Sequence, residues 1–142
     1  MQAALAVMAV LILLVYSVYF YNIIRSRPER FEALMLTSLA EWMIATKQAA
    51  RRNLTWMLLV TVLLEVAYFS LVFIVSENLV FWVISGLFAA FEVFHLLGVT
   101  MAMNRFFRGL IPLKQLFNWK VERTSAWLFF THALLVLIQL AW

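Results

Sequence analysis

Cysteine and aspartate are absent from this 142-residue chain, glycine occurs three times, proline twice, and only 13% of the residues are charged. Without cysteine there are no disulfides and no thiolate metal ligands. A soluble domain has about a quarter of its residues charged, so this chain cannot cover a globule with polar surface. Soluble enzymes, disordered chains and secreted mini-proteins are thereby excluded. What is present points one way: 66% of residues are apolar and the mean hydropathy is +0.96. The expectation is an all-α integral membrane protein, with room for about four crossings at roughly 20 residues each.

Apolar runs fall at about 3–24, 54–75, 79–103 and 124–142, interrupted only by Glu65, Glu92, His95, His132 and Gln139. Each can cross ~30 Å of hydrocarbon as a helix rising 1.5 Å per residue. Continuous rather than alternating apolar patterning argues against a membrane barrel. The start, Met1-Gln2-Ala3-Ala4, offers no positive region ahead of the first run, so that run reads as a retained span and not a cleaved signal. A single membrane domain of four bundled helices follows.

Lysine and arginine sit only in the two long links: Arg25, Arg27, Arg30, Lys47, Arg51 and Arg52 in the first, Arg105, Arg108, Lys114, Lys120 and Arg123 in the second. The positive-inside rule places both links in the cytoplasm and both termini outside, as in a cell (inner) membrane protein. Trp56 and Trp127 then mark the inner interface, Trp82 and Trp142 the outer one.

Within the first link, Phe31, Leu34, Met35, Leu39, Trp42 and Met43 recur at helical spacing, with Glu29, Glu32 and Glu41 largely off that stripe. Pro28 and Glu29 suit a helix start. This predicts an amphipathic interfacial helix over about 28–48, running with little more than a bend into the second span. A second interfacial helix is expected over about 106–120, opened by Pro112 and carrying Leu113, Leu116 and Phe117 on one side. Basic residues beside a membrane meet anionic head groups at ~1 kcal/mol each. The partners expected are therefore lipids and either further copies of the chain or other membrane subunits, not nucleic acid.

Ionisable residues inside apolar spans are costly and usually face the bundle interior. Counted from the inner ends of the runs, Glu65 and Glu92 are about 16 Å deep and His95 and His132 about 12 Å. That predicts one buried polar layer, supported by Tyr16 from the first span, Thr61 and Tyr68 flanking Glu65 at helical spacing, and Gln139 seven residues beyond His132.

Four readings of the layer follow. In the first, neutral carboxyls and histidines hydrogen-bond across helices and fix packing or hold a partner's helix. The second is a metal site: Glu92-x-x-His95 with Glu65 and His132 makes a ligand set for Zn, Mn or Fe. The Glu-x-x-His and the lone Glu65 resemble half of the ferritin-like di-iron carboxylate arrangement, and a single such motif implies one ion rather than two. In the third, His95 and His132 ligate haem b, an arrangement similar to that of four-helix membrane b-type cytochromes. A fourth makes Glu65 and Glu92 the proton-carrying groups of an oligomeric transporter. The expected function is a non-catalytic subunit or accessory component of a larger membrane assembly, whose Glu/His layer binds a cation or a partner helix. Transport and haem-based electron transfer are the alternatives, and no catalytic residue is assigned.

Overall fold

The structure, a computed structural model, describes residues 1–24 and 28–141. Arg25, Arg27 and Trp142, counted above in the charge and aromatic patterns, lie outside the described residues. Among the described residues five α-helices form: α1 (Gln2–Ile24), α2 (Pro28–Thr46), α3 (Ala49–Val75), α4 (Leu79–Phe107) and α5 (Trp119–Ala141). A 3₁₀ turn at Leu113–Gln115 lies in the last link, and there is no strand among the described residues. Four stretches are long and apolar enough to cross a membrane: Gln2–Asn22, Ala49–Val75, Leu79–Phe107 and Trp119–Ala141.

These four make a bundle. α1 packs most extensively on α5 and also touches α3, while α4 closes the ring between α3 and α5. Small residues explain the close α1/α5 contact: Ala9 and Ala133 are both fully buried, and neither side chain holds the backbones apart. Toward the α2 end the same antiparallel pair is joined by aromatics, with Tyr16 stacked on Phe129 (5.4 Å) and Phe20 on Phe130 (4.4 Å). Leu5, Tyr68, Phe69, Val72, Phe88, Phe129 and Val136 complete a core drawn from all four helices. Most other apolar side chains of the long helices face outward.

Helix ends follow local chemistry. Asn78 caps α4, its side-chain oxygen accepting from the amides of Val80 (2.9 Å) and Phe81 (3.3 Å). At the other end Gly109 takes φ +72°, with Leu110 N donating to Arg105 O and Gly109 N to Phe106 O. This paired closure needs the left-handed conformation that glycine adopts most cheaply.

Two expectations about the links are corrected. No second amphipathic α-helix occupies 106–120: α4 runs on to Phe107, Gly109 ends it, and extended Pro112 leaves only the 3₁₀ turn before α5. Nor does α2 continue into α3 through a bend. Lys47 adopts φ 45°, a left-handed break that ends α2 without any glycine or proline to announce it. In addition, the most buried residue of α2 is Glu32 and not one of its apolar stripe, of which Leu34 and Met35 are exposed. The Arg123 guanidinium explains this by binding the carboxylate in a fork, Nε to Oε1 at 2.6 Å and NH2 to Oε2 at 2.9 Å. Tyr19 donates a further hydrogen bond to Oε1 at 3.2 Å. One ion pair thus pins α2 to α5 and α1.

Candidate functional site

The predicted single layer separates into two. The layer nearer the α3–α4 loop centres on His132, whose Nδ1 lies 2.7 Å from the Tyr68 hydroxyl and whose Nε2 lies 2.8 Å from the Ser85 hydroxyl. A neutral imidazole has one bare nitrogen and one N–H, and a hydroxyl can donate to the first and accept from the second. One histidine of α5 thereby ties α3 to α4 with no net charge. Phe81, Phe88 and Phe69 surround its ring, with centroids at 5.2, 5.3 and 5.9 Å.

The second layer, nearer α2, is acidic. His95 of α4 sits between Glu92 Oε2 at 2.9 Å from Nδ1 and Glu122 Oε1 of α5 at 3.0 Å from Nε2. Two such contacts require two hydrogens among the three groups, as an imidazolium with two carboxylates or a neutral imidazole with one carboxylic acid. Both arrangements carry a net charge of −1. Glu92 is almost completely buried and its Oε1 has no hydrogen-bond partner. Glu65 of α3 stands beside this triad, in no hydrogen bond or ion pair among the described residues.

Beside the acidic layer is a cavity of about 480 Å³ between α1, α3, α4 and α5, lined on its α2 side by Phe31, Leu116 and Phe117. Glu65, His95 and Glu122 reach its wall, as do Tyr16 and Thr61. The rest of the wall is largely apolar. Neither lysine nor arginine lines it among the described residues.

Of the residues named from sequence, Glu65, His95, Tyr16 and Thr61 therefore share one cavity, with Glu92 joined through His95. Thr61 also bonds Met57 O of its own helix (3.0 Å), and Tyr16 stacks on Phe129. His132 and Tyr68 belong to the other layer. Gln139 lies beyond both, donating to the Ser76 hydroxyl (2.7 Å) at the α3–α4 loop. The depth count sets His132 level with His95, but His132 pairs with Ser85, ten residues before His95 on α4, and His95 pairs with Glu122, ten residues before His132 on α5. Tyr68 lies three residues past Glu65, and Ser85 seven before Glu92, so the layers are about 5–10 Å apart along the helices.

Two cofactor expectations find no support in this geometry. No group of three or more His, Cys, Asp or Glu side chains arranged to hold a metal ion occurs among the described residues, so Glu65, Glu92, His95 and His132 do not form the expected Zn, Mn or Fe site. A haem b held by His95 and His132 does not fit either: the histidines lie in different layers, both ring nitrogens of each are engaged, and phenylalanines pack the His132 ring.

Residues that patterning does not single out include Ser85 as a hydrogen-bond partner, Glu122, and the Glu32–Arg123–Tyr19 cluster. Glu122 carries a signal nonetheless. The buried face of α5, Ser125, Ala126, Phe129, His132, Ala133 and Val136, follows a heptad seam, and one turn back along it stands Glu122. Glu32 and Arg123 are 91 residues apart and nothing local pairs them.

Among the described residues the fold is all-helical, with four helices of membrane-spanning length and composition. No protein-family profile matches it, and comparison with curated proteins and with solved structures finds no significant match.

Proposed function

We propose that this protein is a non-catalytic component of a membrane assembly whose acidic layer receives a cationic group from outside the chain, either an organic cation or a basic side chain on a partner helix. The observation carrying this reading is the composition of the cavity wall among the described residues, where Glu65 has no hydrogen bond or ion pair, the one basic group, His95, is already shared by Glu92 and Glu122, and no lysine or arginine is present. A carboxylate at that depth is costly without a counter-charge.

In this reading both links face the cytoplasm and both termini face out, by the charge distribution. The exposed Leu34 and Met35 of α2 meet the inner leaflet, and the basic residues of the links meet anionic head groups. The absence of cysteine makes the orientation simple to test. Glu77→Cys, in the exposed α3–α4 loop, is expected to react with a membrane-impermeant maleimide on intact cells, and Arg108→Cys only after permeabilisation. The reverse pattern contradicts the orientation.

The receiving function is tested with dicyclohexylcarbodiimide, an apolar reagent that adds to carboxyl groups within bilayers, with the site of addition read by mass spectrometry. Glu65 is expected to be modified and Glu92, enclosed and hydrogen-bonded, spared. Total modification of Glu65, counted as the carbodiimide adduct plus any amide formed when the amine traps the activated carboxyl, should slow at least fivefold with dodecylamine, or with a membrane-spanning peptide carrying one mid-span lysine, but not with dodecanol or the same peptide carrying leucine. If neither cationic competitor protects Glu65, the reading fails.

A second reading, proton transfer in an oligomeric transporter, is favoured by one observation: Glu92, His95 and Glu122 form a continuous hydrogen-bonded relay. The Tyr68–His132–Ser85 layer and its phenylalanines close the bundle beyond it.

A further inference from the structure

We propose that the cavity binds a lipophilic organic monocation, an amine on an apolar body, whose ammonium group pairs with the Glu65 carboxylate. This rests on the cation-receiving reading and names the cation's chemical class. A volume of about 480 Å³ falls within the range of sites that enclose small organic ligands. Apolar side chains from three of the bounding helices, Val15, Leu58, Leu96 and Val99 among them, supply the surface for the ligand's body. Of the two carboxylates in the wall, Glu65 has no hydrogen bond or ion pair among the described residues, whereas Glu122 is engaged with His95.

Other occupants match less of the wall. A bare metal ion takes several oxygen or nitrogen ligands from one cluster, and no such cluster exists among the described residues. An anion meets a wall that is acidic and free of lysine and arginine. A neutral ligand leaves Glu65 unpaired in an apolar setting, which wastes the costliest group there. The lysine of a partner helix fills little of the volume. The aromatic residues Tyr16, Phe31 and Trp119 in the wall suit an ammonium group better than an anion. The proton balance is simple: a neutral amine accepts the carboxyl proton on binding, while a protonated one meets the carboxylate, and both end as the same ion pair.

The test uses the full chain in phosphatidylcholine nanodiscs with tritiated dodecylamine as the probe, measured against protein-free discs to subtract partition into lipid. Saturable binding is expected at one amine per chain, with dodecanol failing to compete at tenfold higher concentration. Glu65→Gln should weaken binding at least tenfold. Val99→Trp, which fills the cavity without touching a charge, should weaken it comparably. Equal competition by dodecanol, or undiminished binding to folded Glu65→Gln, overturns the proposal. Should a variant fail to fold, the amine-against-alcohol comparison on the wild type still decides. If the lysine peptide protects Glu65 from the carbodiimide while dodecylamine neither protects nor binds, this inference falls and the cation-receiving reading stands. If neither protects, both fall.

Discussion

Replacing His132 by alanine is expected to cost the largest single loss of stability in this protein, about 3–4 kcal/mol, from the cavity left among aromatic side chains and the two hydroxyls left without a partner. Interhelical hydrogen bonds in membrane proteins contribute individually about 0.6–1.7 kcal/mol. The two bonds to Tyr68 and Ser85 therefore supply part of the loss, and the space between Phe69, Phe81 and Phe88 supplies the rest. His132→Phe separates the terms, since it restores volume and not hydrogen bonding. It should recover about half of the loss. Adding Tyr68→Phe and Ser85→Ala to His132→Phe should recover most of what remains, because removing both sides of a buried hydrogen bond is far less damaging than orphaning one. The measurement is the midpoint of denaturation by sodium dodecyl sulfate in mixed micelles. A triple variant less stable than His132→Phe alone would contradict the hydrogen-bonded account.

Breaking the Glu32–Arg123 pair is the second large effect. Removing one partner of a fully buried pair costs about 3–5 kcal/mol. Here Glu32 is enclosed, but a third of the Arg123 side chain is exposed, and solvent screening reduces the expected cost of Glu32→Ala to roughly 2–3 kcal/mol. The loss should also be local. With the fork gone, α2 keeps only its partial packing on α1, α3 and the 3₁₀ turn, so its amides should exchange hydrogen faster while those of the α1/α5 core remain protected. Glu32→Leu combined with Arg123→Met should restore much of the stability, since an apolar pair needs no counter-charge. Uniform exchange across all five helices in Glu32→Ala would contradict this account of how α2 is held.

Much of this architecture was legible in the residue order because lipid imposes a coarse rule. Uncharged runs of twenty or so residues become helices, and the α3–α4 loop announces itself by Ser76-Glu77-Asn78 between two such runs, without lysine or arginine. The ends of the long helices were not legible by the same rule. Glu122 and Arg123 look like the charged boundary of a link, yet both lie within α5, each matched by a partner from another element: His95 for Glu122, Glu32 for Arg123. Those pairings fix the register of α5 against α4 and α2, which counting residues from the ends of apolar runs does not reveal. The Glu92-x-x-His95 spacing correctly placed two groups on one face, because that relation is internal to one helix. Its partner across the bundle depends on the relative register of α4 and α5. Glu32 shows the same limit, since helical periodicity assigns it to a polar face and only the distant Arg123 makes burial favourable.

The central claim is that the two polar layers do different things: His132 holds the bundle together, and Glu65 faces a ligand. The most direct test is the binding of tritiated dodecylamine to Glu65→Gln and to His132→Phe, each at a temperature where the variant is folded. The account predicts at least tenfold weaker binding for Glu65→Gln and binding within twofold of the wild type for His132→Phe. Undiminished binding to Glu65→Gln together with loss of binding in His132→Phe would contradict it.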